Sequence, residues 1–226
     1  RTATLSFAEP PALEVNMQIA ILLYDGMTVL DAIGPYEVLQ SVPGVEVCFV
    51  AGTRGEKRAD FKRLGLVADY TLAEVPHPDV LVVPGTPFPQ AVTGDAAVLE
   101  WIRAVHQTTT WTTSVCTGAL GLGAAGLLQG KRATTHWLAL EALAQFGATP
   151  VEERVVRDGK IWTAAGVSSG IDMALALVGE QFGAAAAQTA QLIIEYDPQP
   201  PYDTGSTRKA PAAMVAALRE QFGNLM

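Results

Sequence analysis

Apolar and polar positions alternate along this chain in short blocks whose spacing switches between strand and helix periods. Gln18–Leu23 is an aliphatic run without a polar face, as a strand covered on both sides requires. Asp25-Gly26 turns the chain, and Gly34-Pro35 opens a predicted helix through Ser41. Val45–Ala51 reads as the next strand, and the charged segment Arg54–Arg63 as a surface excursion or hairpin. Val80–Val83 is a third buried strand, stopped by Pro84-Gly85. Thr93-Gly94-Asp95 caps a helix to about Gln107, and the β-branched run Thr109–Val115 forms a further strand. Thr117–Ala125 follows as a helix of small residues, then a short extended piece, Ala133–Thr135. Trp137–Phe146 has helical periodicity and ends at Gly147. Val155–Arg157 and Lys160–Thr163 flank Asp158-Gly159, a hairpin signal. Ser168–Phe182 and Ala184–Glu195 are the last two predicted helices, ahead of the Pro-rich Pro198–Tyr202.

Strands and helices thus alternate with no linker long enough to divide the chain. The expected fold class is α/β, a doubly wound and mostly parallel sheet with helices on both faces. Residues 17–226 are expected to form one domain, preceded by an extension over 1–16. That extension lacks a basic n-region followed by an apolar h-region, so it does not read as a signal peptide.

Composition narrows the partners. Of 226 residues, 49% are hydrophobic and 17% charged, a globular balance, and the formal net charge is -8. No Lys/Arg stripe offers counterion release to a nucleic acid, and no apolar run reaches membrane-spanning length. Two cysteines, Cys48 and Cys116, make neither a disulfide framework nor metal-ligand spacing. The expectation is a reduced, cytoplasmic protein acting on a small molecule, without metal or organic cofactor.

Chemistry concentrates at Ser114-Val115-Cys116-Thr117-Gly118-Ala119. A buried strand ends at Cys116 and a helix of small residues starts at once, so the turn exposes that side chain at the carboxyl edge of the sheet. The helix N-terminus favours a thiolate, contributing at most about 2 kcal/mol, somewhat over one pKa unit. A free cysteine is otherwise commonly an inert buried hydrophobe, and the turn is what favours the reactive reading. Asp31 interrupts the apolar stretch Met27–Ile33. It is read either as an N-cap for a helix near Gly34 or as a proton donor whose pKa an apolar setting raises. Gly166-Val167-Ser168-Ser169-Gly170 lacks dinucleotide or P-loop spacing and reads as a pocket wall. His136 suits a structural or capping role, His106 a cation at a helix end, Cys48 the core, and Tyr196 a pocket or dimer contact.

Ser114–Gly118, Gly123-Ala124-Ala125-Gly126-Leu127-Leu128 and Lys131-Arg132-Ala133-Thr134-Thr135-His136-Trp137 together resemble the ThiJ/PfpI superfamily, and are most similar to its isonitrile hydratase branch. The resemblance extends back to Leu30–Pro35, forward through Glu153–Gly159 and Gly170-Ile171-Asp172, and on to Glu195–Pro198. It implies a flavodoxin-like, class I glutamine-amidotransferase-like sheet, a homodimer, and an active-site Cys116 with Asp31 as its acidic partner. It further implies Thr117 as an adjoining hydroxyl and backbone N–H groups near Gly85 and Thr117 as oxyanion-type donors. Thr86 stands where relatives often carry a second glycine, and Ala164 and Ala165 lie in a segment usually richer in glycine. With Gly166 and Val167, Thr86 and Ala165 are expected to bound and narrow the substrate pocket.

Thr117 replaces the His that follows the nucleophile in the protease-like branch, so the local base for peptide hydrolysis is missing. The expected reaction is hydration of an isonitrile to an N-substituted formamide, through a Cys116 thioimidate with Asp31 as acid and base. Two alternatives stay open at this level. One is another cysteine-dependent activity, glyoxalase/deglycase-like or hydrolytic. The other is a ligand-sensing domain of a transcription regulator, against which the nearness of Met226 to the last fold element counts.

Overall fold

The computed structural model describes residues 17–222. The extension expected over 1–16 and the chain end at Met226 lie outside the described residues. Strand β1 (Met17–Leu22) leads through Thr28 into helix α1 (Val29–Leu39), and β2 (Val45–Ala51) follows. The charged excursion is a hairpin of β3 (Gly55–Arg58) and β4 (Gly65–Ala68), antiparallel, before the two-residue β5 (Tyr70–Thr71). Next come β6 (Val80–Val83), the single turn α2 (Gln90–Thr93), α3 (Ala96–Thr108) and β7 (Trp111–Val115). Helix α4 (Gly118–Ala124) precedes β8 (Arg132–Ala133), a 3-10 segment over Trp137–Phe146, and β9 (Thr149–Pro150). Then β10 (Val155–Asp158) and β11 (Ile161–Ala164) form a hairpin, followed by α5 (Ser169–Phe182), α6 (Ala184–Ile193) and α7 (Ala212–Phe222).

Seven strands form the main sheet in the order β10-β11-β7-β6-β1-β2-β5, all parallel except the edge strand β10. The expected α/β class is borne out. The aliphatic runs occupy the middle of the sheet, where β1 and β6 are buried almost throughout because helices cover both faces. Helices α1, α5 and α6 pack on one another, as do α2, α3 and α4. No helix among the described residues is long and apolar enough to cross a membrane.

Strand order reverses at β1, whose two neighbours are β2 and β6. In open parallel sheets that reversal leaves a crevice at the carboxyl edge, because successive crossovers leave to opposite faces. Tyr24 follows β1, Pro84–Thr86 follows β6 and Cys116 follows β7, all at this edge.

Two local expectations change. Helix α1 begins at Val29, with Thr28 at the N-cap position and Pro35 inside it, rather than at Gly34-Pro35. Proline at the seventh helical position leaves the Asp31 carbonyl without its i+4 donor and crowds it with the ring, yet the helix, packed against α5, runs through it. Asp31 is therefore in the first turn and is not the cap. Trp137–Phe146, expected as an α-helix, winds as 3-10 turns closed by Gly147 in the left-handed conformation.

Candidate active site

Cys116 sits at the break between β7 and α4 with φ of 56°, one of three non-glycine residues with positive φ among those described. Such a conformation costs about 1–3 kcal/mol and persists only where neighbours hold it. Here its N–H donates to the carbonyls of Ala164 (3.0 Å) and Ala165 (2.9 Å), and its own carbonyl accepts from Thr135 Oγ1 (2.7 Å). The turn closes so tightly that a Cβ on Gly118 would lie 2.1 Å from the Val83 carbonyl oxygen. Glycine at that position is a steric requirement.

The Asp31 carboxyl reaches the same point from the first turn of α1. It is fully buried; Oδ2 accepts the Gly85 N–H at 2.8 Å, while Oδ1 has no hydrogen-bond partner. Burial raises its pKa to about 7, against the opposing pull of the Gly85 N–H and the Cys116 thiol. Burial also pushes the thiol up, and the neighbouring carboxylate adds to this, while the Thr117 N–H at the start of α4 opposes it. The expectation that the helix end would make Cys116 a standing thiolate is thus corrected. The sulfur-bearing residue is only 4% exposed, and losing water costs several kcal/mol, more than a helix terminus returns. What the fold builds is a buried thiol–carboxyl pair.

Around the pair, several expected roles shift. The Gly85 N–H, expected to face an oxyanion, serves Asp31. A Cβ on Gly85 would come within 2.5 Å of the Thr117 nitrogen and 2.9 Å of Asp31 Oδ2, so glycine lets backbone and carboxyl meet. The Thr117 hydroxyl is occupied with a brace, donating to the Thr86 carbonyl (2.6 Å) and accepting the Thr86 N–H (2.7 Å). It has no proton left to orient a water. Thr86 turns its own hydroxyl to the Gly26 carbonyl (2.6 Å), so its side chain fastens a loop instead of narrowing a pocket. Tyr24, which the sequence reading passed over, donates to the Pro84 carbonyl at 2.6 Å; burial and the charges of Asp31 and Cys116 hold its phenol protonated. A lone Tyr after a strand carries no local signal of this placement.

A cavity of about 470 Å³ opens beside the pair. Thr135 and Ala165, both hydrogen-bonded to the Cys116 backbone, are among its lining residues. Ala165, Gly166 and Val167 line it, whereas Cys116, Asp31, Thr117, Gly85 and Thr86 do not; Asp31 is bonded to Gly85 and Thr117 to Thr86, and the expectation that the turn exposes the Cys116 side chain is corrected, since that residue is buried. Leu30, Trp137 and Leu140 contribute apolar surface to the lining, and Glu152, Arg154, Thr207 and Arg208 contribute polar groups. His136 packs beside Gly166 and caps the 3-10 segment, its Nδ1 accepting the Leu138 N–H at 3.4 Å, and burial lowers its pKa. Tyr196 donates to Asp172 (2.9 Å), which pairs with Arg154 at the rim. His106 differs from the expected helix-end cation: burial and Lys160 lower its pKa, and Nδ1 bonds Thr112 Oγ1 at 2.8 Å. Cys48 is buried in β2. Among the described residues no three His, Cys, Asp or Glu side chains gather to hold a metal.

Residues 17–180 match the DJ-1/PfpI family. The chain is 44% identical over 205 residues to the isonitrile hydratase of Pseudomonas putida, covering 91% of this chain and 90% of that one. The crystal structure of a ThiJ/PfpI family protein from Pseudomonas syringae superposes with a TM-score of 0.90 at 38% identity, covering 96% of this chain and 95% of that chain. A mutant of a DJ-1 superfamily protein from Salmonella typhimurium gives a TM-score of 0.70 at 26% identity, over 80% of this chain and 100% of that one.

Proposed function

The chain belongs to the DJ-1/PfpI family, and from that premise we propose that it is an isonitrile hydratase in which Cys116 and Asp31 perform the chemistry. The observation that carries this reading is the convergence of Asp31 on the Cys116 turn, where Gly85 stands between Asp31 Oδ2 and the Thr117 backbone, in a chain matched to a hydratase over nine tenths of both lengths.

The terminal carbon of an isonitrile, R–N≡C, accepts a nucleophile and then a proton at one atom. Asp31, poised near neutrality, takes the thiol proton as Cys116 Sγ bonds to that carbon, and returns it to the same carbon. The product is a thioimidate, R–N=CH–S–Cys116. Water then adds to its carbon as Asp31 takes one of its protons and passes it to the nitrogen, giving the tetrahedral adduct R–NH–CH(OH)–S–Cys116. As the C–S bond breaks, Asp31 takes the hydroxyl proton and hands it to the leaving sulfur, which releases R–NH–CHO and restores the thiol. Atoms balance as isonitrile plus water to formamide. One carboxyl alternating between base and acid suffices because its pKa lies near the working pH. Thr117, Thr86 and Gly85 hold the pair in place, and Ala165–Val167 shape the substrate side.

Incubation of the purified chain with a small alkyl isonitrile, followed by proton NMR, should show the N-alkyl formamide accumulating with retention of the enzyme. Absence of formamide across several alkyl isonitriles would reject the proposal. The thiol–carboxyl pair alone also suits a glyoxalase/deglycase-like reaction, so the same sample should be given an α-oxoaldehyde.

A further inference from the structure

Position 85 has to be glycine for steric reasons, which leaves the peptide joining it to Pro84 without a side chain to fix its rotation. That plane nonetheless has to stay in place, because its N–H is the donor that Asp31 Oδ2 accepts at 2.8 Å. The next peptide, between Gly85 and Thr86, is anchored at both ends. Its carbonyl accepts the Thr28 N–H at 2.8 Å, and its N–H donates to Thr117 Oγ1 at 2.7 Å. For the Pro84-Gly85 peptide the second anchor is Tyr24, whose hydroxyl donates to the Pro84 carbonyl at 2.6 Å.

Tyr24 lies just beyond β1 and is only 8% exposed; burial, with the charges of Asp31 and Cys116, keeps its proton in place. The phenol therefore donates throughout the range in which Asp31 titrates. The carbonyl and N–H of one peptide point in opposite directions, so phenol and carboxylate hold the plane at its two ends. Each bond also polarises the peptide and strengthens the other. Resting on the hydratase reading, we propose that Tyr24 is a positioning residue for Asp31, which through the Pro84-Gly85 peptide holds a hydrogen bond on the carboxylate and so steadies the base that takes the thiol proton.

The other ionisable groups around Asp31 act differently. Cys116 lies at the β7–α4 turn, and Asp60, after β3, adds a negative charge that opposes ionisation. On α1 itself Glu37 is exposed and Tyr36 packs against Phe49. Of the elements packed on α1, β1 and α6 carry no ionisable side chain. Helix α5 carries Asp172 and Glu180, paired with Arg154 and Arg157, and β2 carries Glu46, bonded to Gln18, and the buried Cys48. Tyr24 differs from these in acting through a hydrogen-bonded peptide instead of through its own charge.

Two measurements on the full chain test this. The first follows kcat/KM for an alkyl isonitrile against pH, which in the unaltered chain rises through about 7. In Tyr24→Phe that midpoint should move up by about half a pH unit, a loss of about threefold at acid pH that shrinks as pH rises. Tyr24→3-fluorotyrosine, of nearly equal size but a stronger donor, should move the midpoint down. The second measurement needs no turnover: the carboxyl carbon-13 signal of Asp31, assigned by its absence from Asp31→Asn, should titrate with the same displacements. A Phe variant less active by one constant factor at every pH, or an Asp31 signal whose titration stays put in both Tyr24 variants, would overturn the proposal. Displaced titrations in a chain that hydrates no isonitrile would reject the hydratase reading and leave Tyr24 standing as the anchor of Asp31.

Discussion

A carboxyl removed from water is a poor place for charge, and Asp31 shows both the cost and the use of that fact. Its pKa of about 7 in the fold, against an ordinary value of 3.8, means the folded state resists ionisation. Stability attached to the protonated group is therefore fully present below about pH 4 and is lost as pH rises through about 7. The cost is on the order of 4 kcal/mol as an upper bound, three units at about 1.4 kcal/mol each. Asp31→Asn should accordingly raise Tm at pH 8 by several degrees, with the gain shrinking towards pH 4, as calorimetry at both values would show. The same substitution removes the base and should lower kcat/KM for isonitrile hydration by about 10²–10⁴. In the unaltered chain kcat/KM should rise with pH through about 7 as the carboxylate forms, and stay level beyond, since the thiol titrates far higher. A more stable Asn variant with intact activity would remove Asp31 from the chemistry.

At the scale of elements, the decisive piece is the turn from β7 through Cys116 into α4. Its strain is held by the carbonyls of Ala164 and Ala165 at the end of β11 and by Thr135, so two separate segments fix one residue's φ. Gly118 lets the first turn of α4 press on the end of β6. Gly118→Ala places a methyl where backbone oxygen already lies, and neither partner is a flexible side-chain end. Overpacking of that kind should destabilise by about 3 kcal/mol or more, read as a lower urea midpoint at unchanged m-value. Gly183→Ala is a useful comparison: its φ of 89° also disfavours a side chain, but nothing lies within 4 Å, so it tests backbone strain without a clash. Should Gly118→Ala cost no more than Gly183→Ala, the steric account of the turn is wrong.

For the whole molecule, the sheet order sets where chemistry is possible. Placing β1 between β2 and β6 brings Tyr24, Gly85 and Cys116 from three strand ends to one edge, and α1 delivers Asp31 to it. The core that holds this order is the set of strands buried on both faces. Ile21→Ala, at a fully buried central position, should cost about 2–5 kcal/mol in urea denaturation, whereas Phe61→Ala, 80% exposed, should stay within about 0.5 kcal/mol. Equal costs at the two sites would mean that the sheet interior does not carry the stability.

Period and punctuation were enough to determine the α/β class, most strands, the hairpin at Asp158-Gly159, the Asp95 cap and the break at Cys116, because each is written in a few adjacent residues. The start of α1 was not, since Pro35 signals a helix opening locally and only packing against α5 shows the helix already running. Nor was the state of the thiol, because the helix end favouring ionisation lies next to it in sequence whereas the burial opposing it comes from strands and helices far along the chain. The Gly85 and Thr117 partnerships and the Tyr24 bond to Pro84 likewise join positions tens of residues apart. Short-range stereochemistry chose the elements. Solvent exclusion and hydrogen-bond competition, which exist only after the elements pack, decided what each polar group in the site is free to do.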